Sequence, residues 1–237
     1  MSPTRKPKSA WRVPQAAGEA VGHHRDQRWS EFYDRWAPTY DLITGFWALV
    51  RGFSDSRERR RMVRRLRLKP DDRALEVSVG TGSNLPLMAE AAGRAGRLVG
   101  LDISRGMMRQ AQGKLRRRRL RADLVEGEAA ALPFADGSFD AVLHFGGMNE
   151  FGDIPGAVRE MMRVAKPGVR IVIGAESLKP EKRDTFWGRL LIRFNPRYAI
   201  DTPLGALPPE AKDVRVRWFR GDECYLIDFQ NGAQPAA

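Results

Sequence analysis

The first sustained pattern along the chain is helical. Trp29, Phe32, Tyr33, Trp36 and Tyr40 recur at three- and four-residue steps, which places them on one helix face. Pro38 lies inside that run and predicts a break or bend. Arg57–Leu68 reads as a second helix with Met62, Val63 and Leu66 on its inner side, stopped at Lys69-Pro70-Asp71-Asp72. Short apolar runs then alternate with helical segments. Strands are expected at Arg73–Val79, Arg97–Asp102, Ala122–Glu126, Asp140–Phe145 and Arg170–Ala175. Between them, Ser83–Ala92, Ser104–Arg118 and Ile154–Val164 carry helical spacing. This alternation predicts an α/β fold, a mostly parallel sheet with helices on both faces. Val214–Phe219 and Glu223–Phe229, joined by Arg220-Gly221-Asp222, read as a hairpin that ends the sheet with an antiparallel strand.

The same pattern divides the chain. Residues 1–28 are polar and bear proline and glycine, so they are expected to form a disordered basic tail. One domain is expected over residues 29–237, with an N-terminal helical cap over 29–69. Residues 179–213 hold bulky aromatics and prolines, and read either as a lid over one end of the sheet or as plain packing.

Composition changes this picture little. Of 237 residues, 42% are apolar, enough for a buried core. No apolar run reaches bilayer-spanning length, and no apolar signal core follows the basic start, so a cytoplasmic protein is the expectation. Cys224 has no partner for a disulfide, and the three histidines lack ligand spacing, so no metal is expected. The net charge of +12 attracts polyanions. The arginines, however, are scattered over the tail, 57–67, 116–119 and 215–220, which favours a solvated basic surface over a nucleic-acid face. Nothing in the sequence bears on oligomeric state.

Ligands of an open α/β sheet bind beyond the carboxyl ends of its strands, where strand order reverses. The first strand runs into Glu76-Val77-Ser78-Val79-Gly80-Thr81-Gly82, followed by Ser83 and Asn84 opening a helix. A dinucleotide fingerprint would place a third glycine at Leu85, and a carboxylate at Glu76 would repel a pyrophosphate. Glu76 instead suits a ligand with cationic parts and no phosphate. S-adenosyl-L-methionine, with an ammonium and a sulfonium, is such a ligand. Asp102, ending the second strand, is placed to accept from ribose hydroxyls, with Ser104 as the better helix cap. Glu128, after the third strand, is placed to accept from an adenine amine.

Four stretches in order carry a resemblance. They are Ala74-Leu75-Glu76-Val77 with Gly80-Thr81-Gly82; Gly100-Leu101-Asp102-Ile103-Ser104; Leu132 to Asp140; and Arg163-Val164-Ala165-Lys166-Pro167-Gly168. Together they resemble the class I methyltransferases, in the branch of ubiquinone/menaquinone-biosynthesis and phospholipid N-methyltransferases (type 11-like). Phe32 to Asp41 resembles that branch's entry helix. The resemblance implies a Rossmann-like seven-stranded sheet with a final antiparallel strand. It implies that Glu76, Gly80 and Gly82 hold the methionine part, with Ser78, Thr81 and Asn84 in the same turn. Asp102 would bind ribose, Ile103 and Met107 would flank adenine, and Glu128 and Ala129 would meet its edge. Tyr40 and Tyr33 would close the site, and His144 and Phe145 would sit near the methyl group. Ser78 stands where glycine is usual, a change that an ordinary backbone conformation accommodates.

Methyl transfer to oxygen or carbon also needs a proton removed. His144 is the first candidate base, followed by Glu150, Asp153 and Tyr33, although His144 reads more readily as a packed sheet residue whose backbone meets the cofactor. The expected acceptor is small, lipid-like or aromatic, methylated on O, N or C. No Asn/Asp-Pro-Pro-aromatic motif for a nucleobase amine follows the fourth strand. Leu42–Phe53 with the basic surface suggests peripheral contact with an anionic membrane, or else an ordinary cap helix. The competing class is an RNA-associated or regulatory binding protein on the same fold.

Overall fold

Seven strands form one sheet in the order β3-β2-β1-β4-β5-β7-β6. The structure, a computed structural model, describes residues 23–50, 54–93 and 95–232. The strands are β1 (Arg73–Val77), β2 (Arg97–Asp102), β3 (Asp123–Glu126), β4 (Phe139–Phe145), β5 (Ala165–Glu176), β6 (Ala211–Phe219) and β7 (Cys224–Asn231). β1 to β5 pair in parallel. β7 runs antiparallel between β5 and β6, as the hairpin reading requires. Strand order reverses at β1, whose neighbours are β2 and β4, so the switch point lies at the ends of these strands.

Alternation along β1 shows how the layers form. Leu75 and Val77 join a core with α5 (Ile154–Val164), packing near Val158 and Met161. Ala74 faces the other core, shared with Met62 and Val63 of α2 (Asp55–Arg65) and Leu85 and Met88 of α3 (Leu85–Ala92). Glu76 follows Ala74 on that face and is therefore carried into the layer between sheet and helices.

The N-terminal helix departs from expectation. α1 (His23–Val50) runs through Pro38 without interruption. Pro38 removes one backbone donor, but side chains on either side of it are latched to the domain. Asp34 accepts from Ser104 Oγ (2.6 Å) and from the Gly106 amide (2.7 Å) at the start of α4 (Arg105–Arg118). Asp41 accepts from Thr81 Oγ1 (2.6 Å) and pairs with Lys114 (2.9 Å). Most of the tail expected over 1–28 lies outside the described residues, and the part from His23 onward is already helix. Of the expected Leu42–Phe53 stretch, residues 51–53 lie outside the described residues.

Residues 179–213 contain two helices, α6 (Pro180–Arg183) and α7 (Phe186–Phe194), and a short turn of helix at Pro196–Ala199. That turn is pinned to the carboxyl end of β5, because Asn195 Nδ2 donates to Glu176 Oε2 (3.2 Å). The basic stretch of α2 is paired in part, Arg59 with Asp55 and Arg61 with Glu58 within the helix and Arg60 with Glu90 on α3.

Candidate active site

A cavity of about 790 Å³ including its open mouth lies over the ends of β1, β2 and β4. Its floor is the glycine turn. Gly80 has φ +55°, and a Cβ there would meet no atom within 4 Å, so the backbone itself borders open space. The Gly80 amide donates to Asp102 Oδ2 (2.7 Å), which ties the turn to the end of β2. Oδ1 of the same carboxylate accepts from the Ser104 amide (2.9 Å). Burial raises Asp102 to about 6, although these backbone donors oppose the shift.

Glu76 is the decisive group. Its side chain is 1% exposed, and Oε1 accepts from Asn84 Nδ2 (2.6 Å). Asn84 in turn accepts from Arg59 (3.0 Å), so α2 orients the amide that holds the carboxyl group. Oε2 is buried with no hydrogen-bond partner. Desolvation pushes Glu76 up to about 8, so near neutrality the carboxyl group is mostly protonated. A buried acceptor left without a donor at a cavity wall fits a ligand that brings a cation or N–H to it. The donor set thus fits the amino-acid end of S-adenosylmethionine, and Asp102 fits a diol.

The structure brings together Tyr33, Tyr40, Glu76, Ser78, Gly80, Thr81, Asn84, Asp102, Ile103, Met107 and Phe145 around this cavity. Others are set aside. Gly82 has φ +72°, and its Cα faces the Ala111 Cβ of α4, so it serves the turn and does not line the cavity. Glu128 and Ala129 follow β3 outside the lining. Gly127 donates to the Asp102 carbonyl (3.1 Å), but the cavity stops at Asp102, Ile103 and Met107. Ala129 packs into the core instead.

His144 is also outside the lining, and its side chain is fully buried. Its Nδ1 lies 3.0 Å from the Val77 carbonyl, which only accepts, so Nδ1 carries the proton. Burial holds His144 down at about 4, neutral at ordinary pH. This is the packed sheet residue, and the catalytic expectation for it is corrected. Asp153 caps α5 through the Gly156 amide (2.8 Å) and is likewise committed elsewhere.

The condition for accommodating Ser78 without strain is not met. Its φ is +57°, the left-handed region, not an ordinary conformation. The next residue explains why, since the Val79 amide must reach the Leu101 carbonyl (2.9 Å) to close the turn on β2.

Several lining residues were not singled out from sequence for the cofactor: Trp29, Arg59, Val79, Ser83, Gly146, Gly147 and Phe151. Glu150 also lines the cavity and accepts from the Tyr33 hydroxyl at 2.7 Å on both oxygens. Arg197, from the turn after α7, pairs with Glu150 and sits 5.5 Å over the Trp29 ring. Burial, reinforced by Glu150, drives the Tyr33 phenol far upward, so Tyr33 is a fixed donor. No cluster of metal-ligating side chains occurs among the described residues.

A doubly wound sheet of this order with its cavity at the switch point has the class I methyltransferase architecture. Solved structures agree on the fold: a SAM dependent methyltransferase from Aquifex aeolicus (20% identity, 72% of this chain and 88% of that chain, TM-score 0.53). The [4+2]-cyclase SpnF covers more (16% identity, 88% and 97%, TM-score 0.65), so the architecture also occurs in a protein titled for another activity. Residues 75–173 match the family described as methyltransferase domain. The demethylmenaquinone methyltransferase of Thermus thermophilus is 38% identical over 137 residues, 58% of this chain and 60% of the relative. That of Bacillus cereus is 30% identical over 149 residues, 62% of each. Residues 75–173 thus match the methyltransferase domain family, and the chain is similar over about three fifths of its length to demethylmenaquinone methyltransferases, with the Rossmann-like fold that the solved methyltransferase structures share. It spans about three fifths of the length of these two relatives. Among the described residues no helix is long and apolar enough to cross a membrane.

Proposed function

We propose that the protein transfers a methyl group from S-adenosylmethionine to a small aromatic acceptor bearing a hydroxyl, of the quinol type. The observation that carries the cofactor half is Glu76, a buried carboxyl group with one oxygen unpartnered at the cavity wall. The cofactor, when bound, supplies a methyl carbon already activated by its sulfonium. Glu76 would hold the ammonium, Asp102 the ribose hydroxyls, and Ile103 and Met107 the adenine. Glu128 and Ala129, also expected at the adenine edge, stand outside the lining and are not part of this set.

The acceptor half is supported by the opposite wall. Trp29, Tyr33, Tyr40, Phe145 and Phe151 surround the space with ring faces and edges suited to a flat apolar molecule. At that wall Glu150 is the polar group, fixed by Tyr33 and Arg197. Glu150 would accept the acceptor hydroxyl at a carboxylate oxygen and draw off its proton, while Tyr33 stays protonated and orients it. The chain contributes alignment and exclusion of water, with α1 strapped across the site by Asp34 and Asp41. The demethylmenaquinone methyltransferase relatives make a demethylated quinol the first acceptor to try.

Calorimetry with S-adenosylmethionine tests the cofactor half, and a Glu76→Ala chain is the control. Binding by the unaltered protein and its loss in the variant is the expected result. No binding by the unaltered protein would return the cavity to the binding-protein class.

A further inference from the structure

Two helices next to the cavity wear their apolar faces outward. On α7, Phe186, Leu190 and Phe194 follow at four-residue steps with Trp187 beside them, one helix face. Phe186, Trp187 and Phe194 are 69%, 69% and 79% exposed. The buried side of α7 is Gly188, pressed against the Lys182 carbonyl, so the apolar stripe faces solvent. On α1, Leu42, Phe46 and Leu49 share a face with Trp47 adjacent, and Leu42 and Leu49 are 75% and 78% exposed. An amphipathic helix of a globular domain normally turns such a stripe to the core.

Charge says what covers it. From Thr185 to Ile200 the chain has Arg189, Arg193 and Arg197 and no acidic residue. From Leu42 to Val50 it has no charge at all. Arg189 and Arg193 are exposed and border the aromatic stripe of α7. Exposed Phe and Trp bordered by Arg189 and Arg193 on α7, with an uncharged apolar stripe on α1 and a net charge of +12, complement an anionic lipid headgroup layer with acyl chains beneath.

The same elements reach the cavity. Tyr33 and Tyr40 of α1 line it, and α7 leads directly into Arg197, which holds Glu150. We infer that α7 and the carboxyl half of α1 form a surface that docks on an anionic bilayer and presents the cavity mouth to a lipid-dissolved acceptor. The docking surface stands on exposure and charge; its role in acceptor delivery rests on the methyltransferase reading.

The full chain is sedimented with vesicles of phosphatidylcholine alone and of an equimolar phosphatidylcholine–phosphatidylglycerol mixture, while tryptophan emission is followed. Partition onto the anionic vesicles with a blue shift, weakened by salt, is expected. Replacing Arg189 and Arg193 by serine lowers partition by about fivefold each. Phe186→Ser with Trp187→Ser reduces the blue shift to what Trp47 alone reports, and S-adenosylmethionine affinity measured on the same variants stays unchanged. Equal partition onto both vesicles, or partition indifferent to these four substitutions, overturns the inference. So does a dimer that the aromatic substitutions dissociate in a chain that ignores vesicles, because a second copy then covers the face. A chain that partitions but binds no S-adenosylmethionine upholds the surface and sinks the methyltransferase reading instead.

Discussion

Replacing Glu76 by glutamine keeps the hydrogen bond from Asn84 while removing the ionisable group from the cavity wall. In the ligand-free protein Glu76 titrates at about 8, so at pH 6 about one molecule in a hundred carries the carboxylate. A ligand that offers a cation selects that form. Affinity for S-adenosylmethionine should therefore rise about tenfold, or about 1.4 kcal/mol, per pH unit from 6 to 7, and flatten above 8. Near pH 7, binding should release close to one proton per site, read by calorimetry in buffers of different ionisation enthalpy. Stability runs the opposite way. The folded-state value lies above the ordinary 4.5, so the unfolded chain loses its proton first and stability falls as pH rises from 4.5 to 8. Glu76→Gln should remove the part of both dependences between pH 6 and 8, leaving below pH 6 the part due to Asp102: the ligand-free melting temperature rises at pH 8 and not at pH 4.5, and cofactor affinity at pH 8 drops at least about tenfold. A dissociation constant that is flat from pH 6 to 8, with no proton release, would refute the assignment of Glu76 as the ammonium site.

Other expectations follow from single contacts. Ser78→Gly relieves a left-handed serine and should raise stability by about 1 kcal/mol, seen as a higher urea midpoint; a lower midpoint would show that the serine side chain earns its place. Gly106→Ala puts a Cβ 2.9 Å from the Asp34 backbone, so it should prise α1 off α4 and raise the cofactor off-rate in stopped flow, with the sheet's melt little changed. His144→Asn retains a donor for the Val77 carbonyl, and its activity–pH profile should superimpose on that of the unaltered protein, because His144 titrates near 4 and does not face the cavity. Arg197→Gln should lower turnover with a quinol while leaving S-adenosylmethionine affinity as it was, since Arg197 acts on Glu150; a parallel loss of cofactor binding would reject that division.

The part of the cavity proposed for the cofactor was legible as a cavity lining because it is local. β1, the turn and the start of α3 are contiguous, and their glycines and Glu76 lie within residues 76–84. Asp102 enters through a strand that pairs directly with β1, so its distance from the turn follows from register alone. What failed there failed on backbone detail. Accommodation of Ser78 hung on its backbone conformation, which a sequence does not display, and His144 was placed by strand position without knowing that its ring meets a carbonyl on β1. Pro38 misled for a related reason: a local helix rule was outweighed by latches from Asp34 and Asp41 to residues 40 to 72 positions away.

The half proposed for the acceptor was legible only in part: Glu150 and Tyr33 stood among the candidate bases, but their meeting with Arg197 did not, since that cluster is assembled from distant segments. Tyr33 and Glu150 are 117 positions apart, and Arg197 is 47 beyond Glu150. Each is unremarkable in its own stretch: a helical aromatic, an acid after a glycine pair, an arginine in a basic loop. Their meeting depends on α1 lying across the carboxyl edge of the sheet, and on α7 delivering the Pro196–Ala199 turn to the end of β5. The elements that depart from the common sheet pattern are therefore the ones that line the end of the cavity proposed for the acceptor. They are also the ones whose apolar stripes remain uncovered. On the proposed function, α7 could shift to exchange a lipid-like substrate without opening the glycine turn, because the hydrogen bonds that close that turn come from Asp102 and Leu101, whereas α1 is tied to it through Asp41 and Thr81 and would have to stay in place.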